Sequence, residues 1–144
     1  MNILVSECLM GERCRYDGAS KPVENVIGLK EKYNLIPVCP EVMGGLKTPR
    51  SSAEICKNSV INEDGDDVTN EFLKGANETL SIAKQHNCKF AILKENSPSC
   101  GCGQIYDGTF SRKFTKGNGI TAQLLLDNNI EVYNENNFME IPFD

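Results

Sequence analysis

With 144 residues, seven cysteines and one histidine, the sequence is the size of one domain and long enough to bury a core without covalent staples. Its 40% apolar and 24% charged shares exclude a disordered or fibrous chain, and a formal net charge of -5 with no basic stripe speaks against a nucleic-acid partner. The start Met1-Asn2-Ile3-Leu4-Val5 has no cationic lead, and no apolar run reaches membrane-spanning length, so one soluble, cytoplasmic domain over residues 1–144 is predicted, with no membrane partner.

In chain order, residues 2–6 form an apolar run of strand length that leads into Cys8-Leu9-Met10-Gly11. Pro22 opens a stretch in which Val23, Val26, Ile27 and Leu29 recur at helical spacing, predicting a helix to about Tyr33. Leu35-Ile36-Pro37-Val38 is a second strand, delivering Cys39-Pro40-Glu41 to the following loop. Between Glu54 and Thr69, the Asp64-Gly65 turn signal between short apolar pieces predicts a β-hairpin on the edge of the main sheet. From Asn70, the residues Phe72, Leu73, Ala76, Leu80 and Ala83 share one helical face. Phe90–Leu93 is a third buried strand and runs into Ser97-Pro98-Ser99-Cys100-Gly101. A glycine-rich loop, a helix over 120–127, a strand over 130–133 and a loosely specified tail complete the chain.

Strands alternating with helices predict an α/β, Rossmann-like, mostly parallel sheet with helices on both faces and a β-hairpin insertion. In such sheets the ligand crevice lies beyond the carboxyl ends of the strands, where Cys8, Cys39 and Cys100 all emerge. No GxGxxG follows the first strand, so a dinucleotide has no support. Three thiols without a histidine suit zinc or a 4Fe-4S cluster, and three ligands leave one coordination position free. Against this stands the ordinary use of cysteine as a small buried hydrophobe. Cys56 and Cys88 read as structural, Cys14 and Cys102 as sequence neighbours of the ligands, and His86 as a surface residue.

Glu41, two residues past Cys39, reaches the same crevice as a candidate general base or as a plain loop acid. Ser97 and Ser99 flank Pro98 before Cys100 and could bond a substrate, or simply make a turn. Arg50, with Arg13, Arg15 and Tyr16, could position a planar polar ligand, and Gly119 of Gly117-Asn118-Gly119 could offer backbone N–H groups to an anion at a helix start.

Taken together, Val5-Ser6-Glu7-Cys8-Leu9-Met10-Gly11 with Cys14-Arg15-Tyr16-Asp17-Gly18, Pro37-Val38-Cys39-Pro40-Glu41-Val42 with Gly44-Gly45-Leu46 and Pro49-Arg50, and Ser97-Pro98-Ser99-Cys100-Gly101 resemble the thiouracil desulfidase family. Tyr106-Asp107-Gly108-Thr109-Phe110 and Gly117-Asn118-Gly119-Ile120-Thr121 extend the resemblance over most of the chain. The resemblance implies a 4Fe-4S enzyme that hydrolytically removes sulfur from a small thiolated nucleobase without a redox step, at the open iron of a three-cysteine cluster. It implies Cys8, Cys39 and Cys100 as ligands and Glu41 with Ser97 or Ser99 as the catalytic pair. A non-catalytic iron-sulfur or sulfide-carrying module is the rival expectation, and a homodimer is left open.

Overall fold

The computed structural model describes residues 1–143. Four strands, β1 (Asn2–Ser6), β2 (Asn34–Val38), β5 (Phe90–Ile92) and β8 (Glu131–Tyr133), form a sheet in the order β2-β1-β5-β8. All three pairings are parallel, with Leu4 beside Ile36 on one side and Ala91 on the other. In β1, Ile3, Leu4 and Val5 are fully buried, as a central parallel strand covered on both faces requires. Pro37, which has no N–H to give to a ladder, is tolerated because β2 lies at the sheet edge.

The period-two alternation sends Ile3, Val5, Phe90 and Ile92 to one face and Leu4, Ala91 and Leu93 to the other. On the second face pack α3 (Thr69–Gln85) and α4 (Ile120–Asp127) through Ala83, Ala122 and Leu125. On the first lie α1 (Glu24–Ile27), through Val26, and the chain's end, through Phe138 and Ile141. The α/β architecture expected from sequence is therefore the one observed, with helices on both faces.

Four local expectations are corrected. The helix expected to reach Tyr33 is only α1 followed by a 3-10 turn over Gly28–Glu31, since glycine holds helix conformation poorly. The hairpin is β3 (Ala53–Cys56) with β4 (Ser59–Asn62), turning at Lys57-Asn58, and it forms its own two-stranded sheet, unpaired with the edge strands of the main sheet. The Asp64-Gly65 signal is a real turn, but it folds the chain after β4 back so that Asp67 bridges Ile61. The glycine-rich loop contains a second hairpin, β6 (Gln104–Tyr106) with β7 (Phe114–Lys116). The tail is packed: Phe138 and Ile141 are buried, and Phe143 stacks on Tyr33 at 5.0 Å between ring centroids.

A short helix not expected from sequence, α2 (Pro40–Met43), starts directly after Cys39 with proline in its first turn. It crosses α3 at backbone contact: a Cβ on Gly44 would lie 1.9 Å from the Glu71 carbonyl oxygen, and one on Gly75 1.8 Å from that of Pro40. Only glycine on both sides permits this approach, which fixes where α2 and its Glu41 stand.

Candidate functional site

The connection from β1 to β2 runs to one side and that from β2 to β5 crosses to the other, so the order in which the chain adds strands reverses between β1 and β5. A cavity of about 480 Å³ opens at this point, lined by Cys8, Cys14, Cys39 and Cys100 together with Glu41, Arg50, Ser97 and Ser99. Cys8 lies in a 3-10 turn, Glu7–Met10, that continues β1 and ends at Gly11 with φ 100°. Cys39 ends the extended run from β2 and caps α2. Cys100 closes a turn after β5 in which its own N–H donates to Ser97 Oγ at 2.7 Å and the Gly101 N–H to the Ser97 carbonyl at 3.0 Å.

Cys14 belongs here as well, although its sequence position suggested a bystander. The loop after Gly11 folds back, its closure marked by the Lys21 N–H donating to the Cys8 carbonyl at 2.9 Å, and this returns Cys14 to the cavity. Its thiol contacts those of Cys39 and Cys8. The contact with Cys39 lowers the Cys14 pKa, but the contact with Cys8, burial and nearby negative charge outweigh it and push the thiol up to about 12. Cys39 is also driven well above the ordinary thiol value, first by its hydrogen bond with Cys14 and then by burial. Cys100 is raised to about 11 by burial, against the opposing effect of the Ser99 and Ser6 hydroxyls beside it. Cys56 and Cys102 are half-buried and do not line the cavity, and Cys88 is buried before β5, at the far end of the sheet.

Glu41 is held from both sides. Arg50 Nε donates to Oε1 at 3.1 Å, and Ser99 Oγ donates to Oε2 at 3.1 Å. Ser99 Oγ is also 3.3 Å from Ser97 Oγ and 3.5 Å from Cys100 Sγ. With the single Ser99 proton directed to the carboxylate, Ser97 is the donor between the two serines, and the order runs Ser97 to Ser99 to Glu41. Ser99 is 1% exposed, whereas Ser97 is only partly buried and meets the cavity.

Arg50, expected to bind substrate, spends its guanidinium on the protein instead. Besides Glu41 it donates to the carbonyls of Cys14 at 2.9 Å and Lys47 at 3.0 Å and to Thr48 Oγ1 at 2.9 Å. Gly119, unlike Arg50, does not line the cavity: a Cβ there would lie 2.5 Å from the Ser99 carbonyl, so it backs the serine turn from behind. The N–H groups of Gly119, Ile120 and Thr121 donate to the carbonyls of Gly101, Pro98 and Ser99, leaving no anion cradle. At the mouth stand Tyr16, 41% exposed, and Phe110, 37% exposed, with Arg15 and Arg112 also in the lining. Arg13 is absent from it.

Among the described residues, no three His, Cys, Asp or Glu side chains are grouped to hold a single metal ion. A mononuclear thiolate site needs every sulfur about 2.3 Å from one atom. Thiols carried on separate loops around a sizeable cavity, with no histidine among them, fit instead a cluster whose thiolates bind different irons. Among the described residues no helix is long and apolar enough to cross a membrane.

Comparison with known proteins agrees with this geometry. "Uncharacterized protein YbbK" of Bacillus subtilis (strain 168) is 42% identical, the match covering 96% of this chain and 99% of that protein. A solved structure described as the [4Fe-4S]-dependent thiouracil desulfidase TudS superposes with a TM-score of 0.89 at 42% identity, covering 97% of this chain and 94% of the other. The model of the 2-thiouracil desulfurase family matches residues 3–137, a span that holds every cavity thiol, Glu41 and both serines. The chain therefore belongs to the 2-thiouracil desulfurase family.

Proposed function

We propose that this chain is a [4Fe-4S]-dependent desulfidase that hydrolyses the thiocarbonyl of thiouracil, or of a similar small thiolated nucleobase, to the carbonyl and sulfide. It works as one domain in the cytoplasm, with neither nucleic acid nor membrane as partner. The reading is supported above all by one observation: Cys8, Cys39 and Cys100 line the same cavity as a carboxylate joined to a pair of serines.

Cys8, Cys39 and Cys100 hold the cluster, and Cys14 packs between the first two. Bound there, the cluster supplies a coordinatively open iron, a Lewis acid for the substrate's sulfur. Hydrolysis exchanges that sulfur for the oxygen of water, so both protons of water leave with the sulfide and no electrons are gained or lost. Glu41 takes the first proton from the attacking water at Oε2, the oxygen that faces the serines. Ser97, the more open of the two hydroxyls, passes protons through Ser99 to and from that oxygen. Arg50 fixes the carboxylate by holding Oε1, and Tyr16 and Phe110 at the mouth offer apolar faces to a planar ring.

The test is sulfide release from 2-thiouracil by protein reconstituted under anaerobic conditions with iron and sulfide. Equal amounts of uracil and sulfide, formed by the loaded protein and not by the apoprotein, are expected. A fully loaded protein that leaves 2-thiouracil intact would overturn the activity and favour a cluster-carrying module.

A further inference from the structure

Ser6, the last residue of β1, has no part in the steps above, yet its hydroxyl is committed to the site. The side chain is 3% exposed. Its Oγ accepts the Lys94 N–H at 3.0 Å and lies 3.6 Å from Cys100 Sγ. A hydroxyl carries one proton, and with its oxygen already accepting from Lys94, the acceptor left to that proton among the described residues is the Cys100 sulfur. Ser99 also reaches this sulfur at 3.5 Å, but its proton has a nearer and stronger acceptor in Glu41, at 3.1 Å. Ser6 is therefore the dedicated donor to Cys100.

We propose that Ser6 is a positioning residue that tunes the electronic character of the cluster through a hydrogen bond to the Cys100 sulfur; this rests on the reading that Cys100 is a cluster ligand. Hydrogen bonds to ligand sulfurs are among the levers by which a protein sets a cluster's properties. A donor drains negative charge from the thiolate, so less charge reaches the iron. The cluster then accepts an electron more readily, and its open iron is a stronger Lewis acid toward a sulfur ligand. The Lys94 N–H orients the hydroxyl from behind, and because Lys94 lies two residues past the end of β5, the two strands that flank the cavity set the donor's aim.

Wild-type protein, Ser6→Ala and the near-isosteric pair Ser6→Val and Ser6→Thr are reconstituted anaerobically and compared. The readouts are the cluster's midpoint potential and, on the oxidised cluster, the iron-to-cysteine sulfur stretch by resonance Raman. Removing the donor shifts the potential to more negative values and the stretch to higher frequency in Ser6→Ala or Ser6→Val, whichever loads, while Ser6→Thr stays near wild type. A loaded donor-free variant that matches wild type in both readouts overturns the inference and leaves the proposed function standing. A wild-type protein that takes up no cluster overturns both.

Discussion

The functional weight of the site falls on a few side chains whose partners are fully assigned. Glu41 has both carboxylate oxygens occupied, by Arg50 and by Ser99, so its position is set before any ligand enters. Glu41→Gln keeps the shape and removes the base; turnover should fall roughly 10²- to 10⁴-fold while the cluster's absorption is unchanged. Arg50→Ala releases Oε1 and the Cys14 carbonyl together. The pair is only 9% and 17% exposed at its side chains, so the substitution should cost about 2 kcal/mol in denaturant unfolding, and turnover should drop by about 10²-fold at most through misplacement of the base. Arg50→Lys should recover little, because an ammonium cannot make the forked contacts. An Arg50→Ala protein with wild-type turnover would show that Glu41 does not need this clamp. The meeting of Cys8, Cys39, Cys100, Glu41 and the serines at one cavity was readable because each follows a strand end. Cys14's place at the site was not, since it depends on a loop folding back on itself through Lys21, a closure that leaves no periodic trace in the sequence.

At the scale of elements, what places the chemistry is the crossing of α2 over α3. Gly75→Ala drives a methyl into the Pro40 carbonyl, and Gly44→Ala does the same to that of Glu71. Each should destabilise by about 1–3 kcal/mol or more, seen as a lower denaturant midpoint, and should impair turnover by displacing Glu41. Alanine at either position without effect would mean that the crossing is looser than its backbone contacts imply. The long helix α3, the short helix α4 and the apolar runs of β1, β2 and β5 are distinct enough to be recognised from sequence. Helix α2 does not: it is one turn long, and its proline and terminal glycines read equally well as a loop. The hairpin's turn at Lys57-Asn58 was obscured by the stronger glycine signal at Gly65, because Lys57 takes a positive φ of 59° that lysine does not advertise.

For the molecule as a whole, the apoprotein keeps thiols in surroundings that disfavour their charged form. Cys88 is raised from 9.0 to about 11 by burial, and Cys14 from 9.0 to about 12. Between the unfolded and folded values the native state binds more protons, so stability is fully present below about pH 9 and is lost as pH rises from there through about 11. A thermal unfolding series on the apoprotein should be free of this loss up to about pH 9 and fall steeply above it; a midpoint that holds to pH 11 would contradict the buried-thiol picture. The parallel sheet, its two covered faces and the position of the crevice all followed from the alternation of strand and helix. The packed tail did not, because Phe138, Ile141 and Phe143 are too few, and change from a spacing of three to one of two across Pro142, to repeat either a helix or a strand pattern; tertiary contact packs them.

The decisive measurement is the iron and acid-labile sulfide bound per chain after anaerobic reconstitution, taken on wild type and on Cys8→Ala, Cys39→Ala, Cys100→Ala and Cys14→Ala. About four of each per chain in wild type and in Cys14→Ala, with loss of both in the other three, is the expected result. An iron-free wild type, or full loading without any one of Cys8, Cys39 or Cys100, would contradict a cluster held by these three sulfurs.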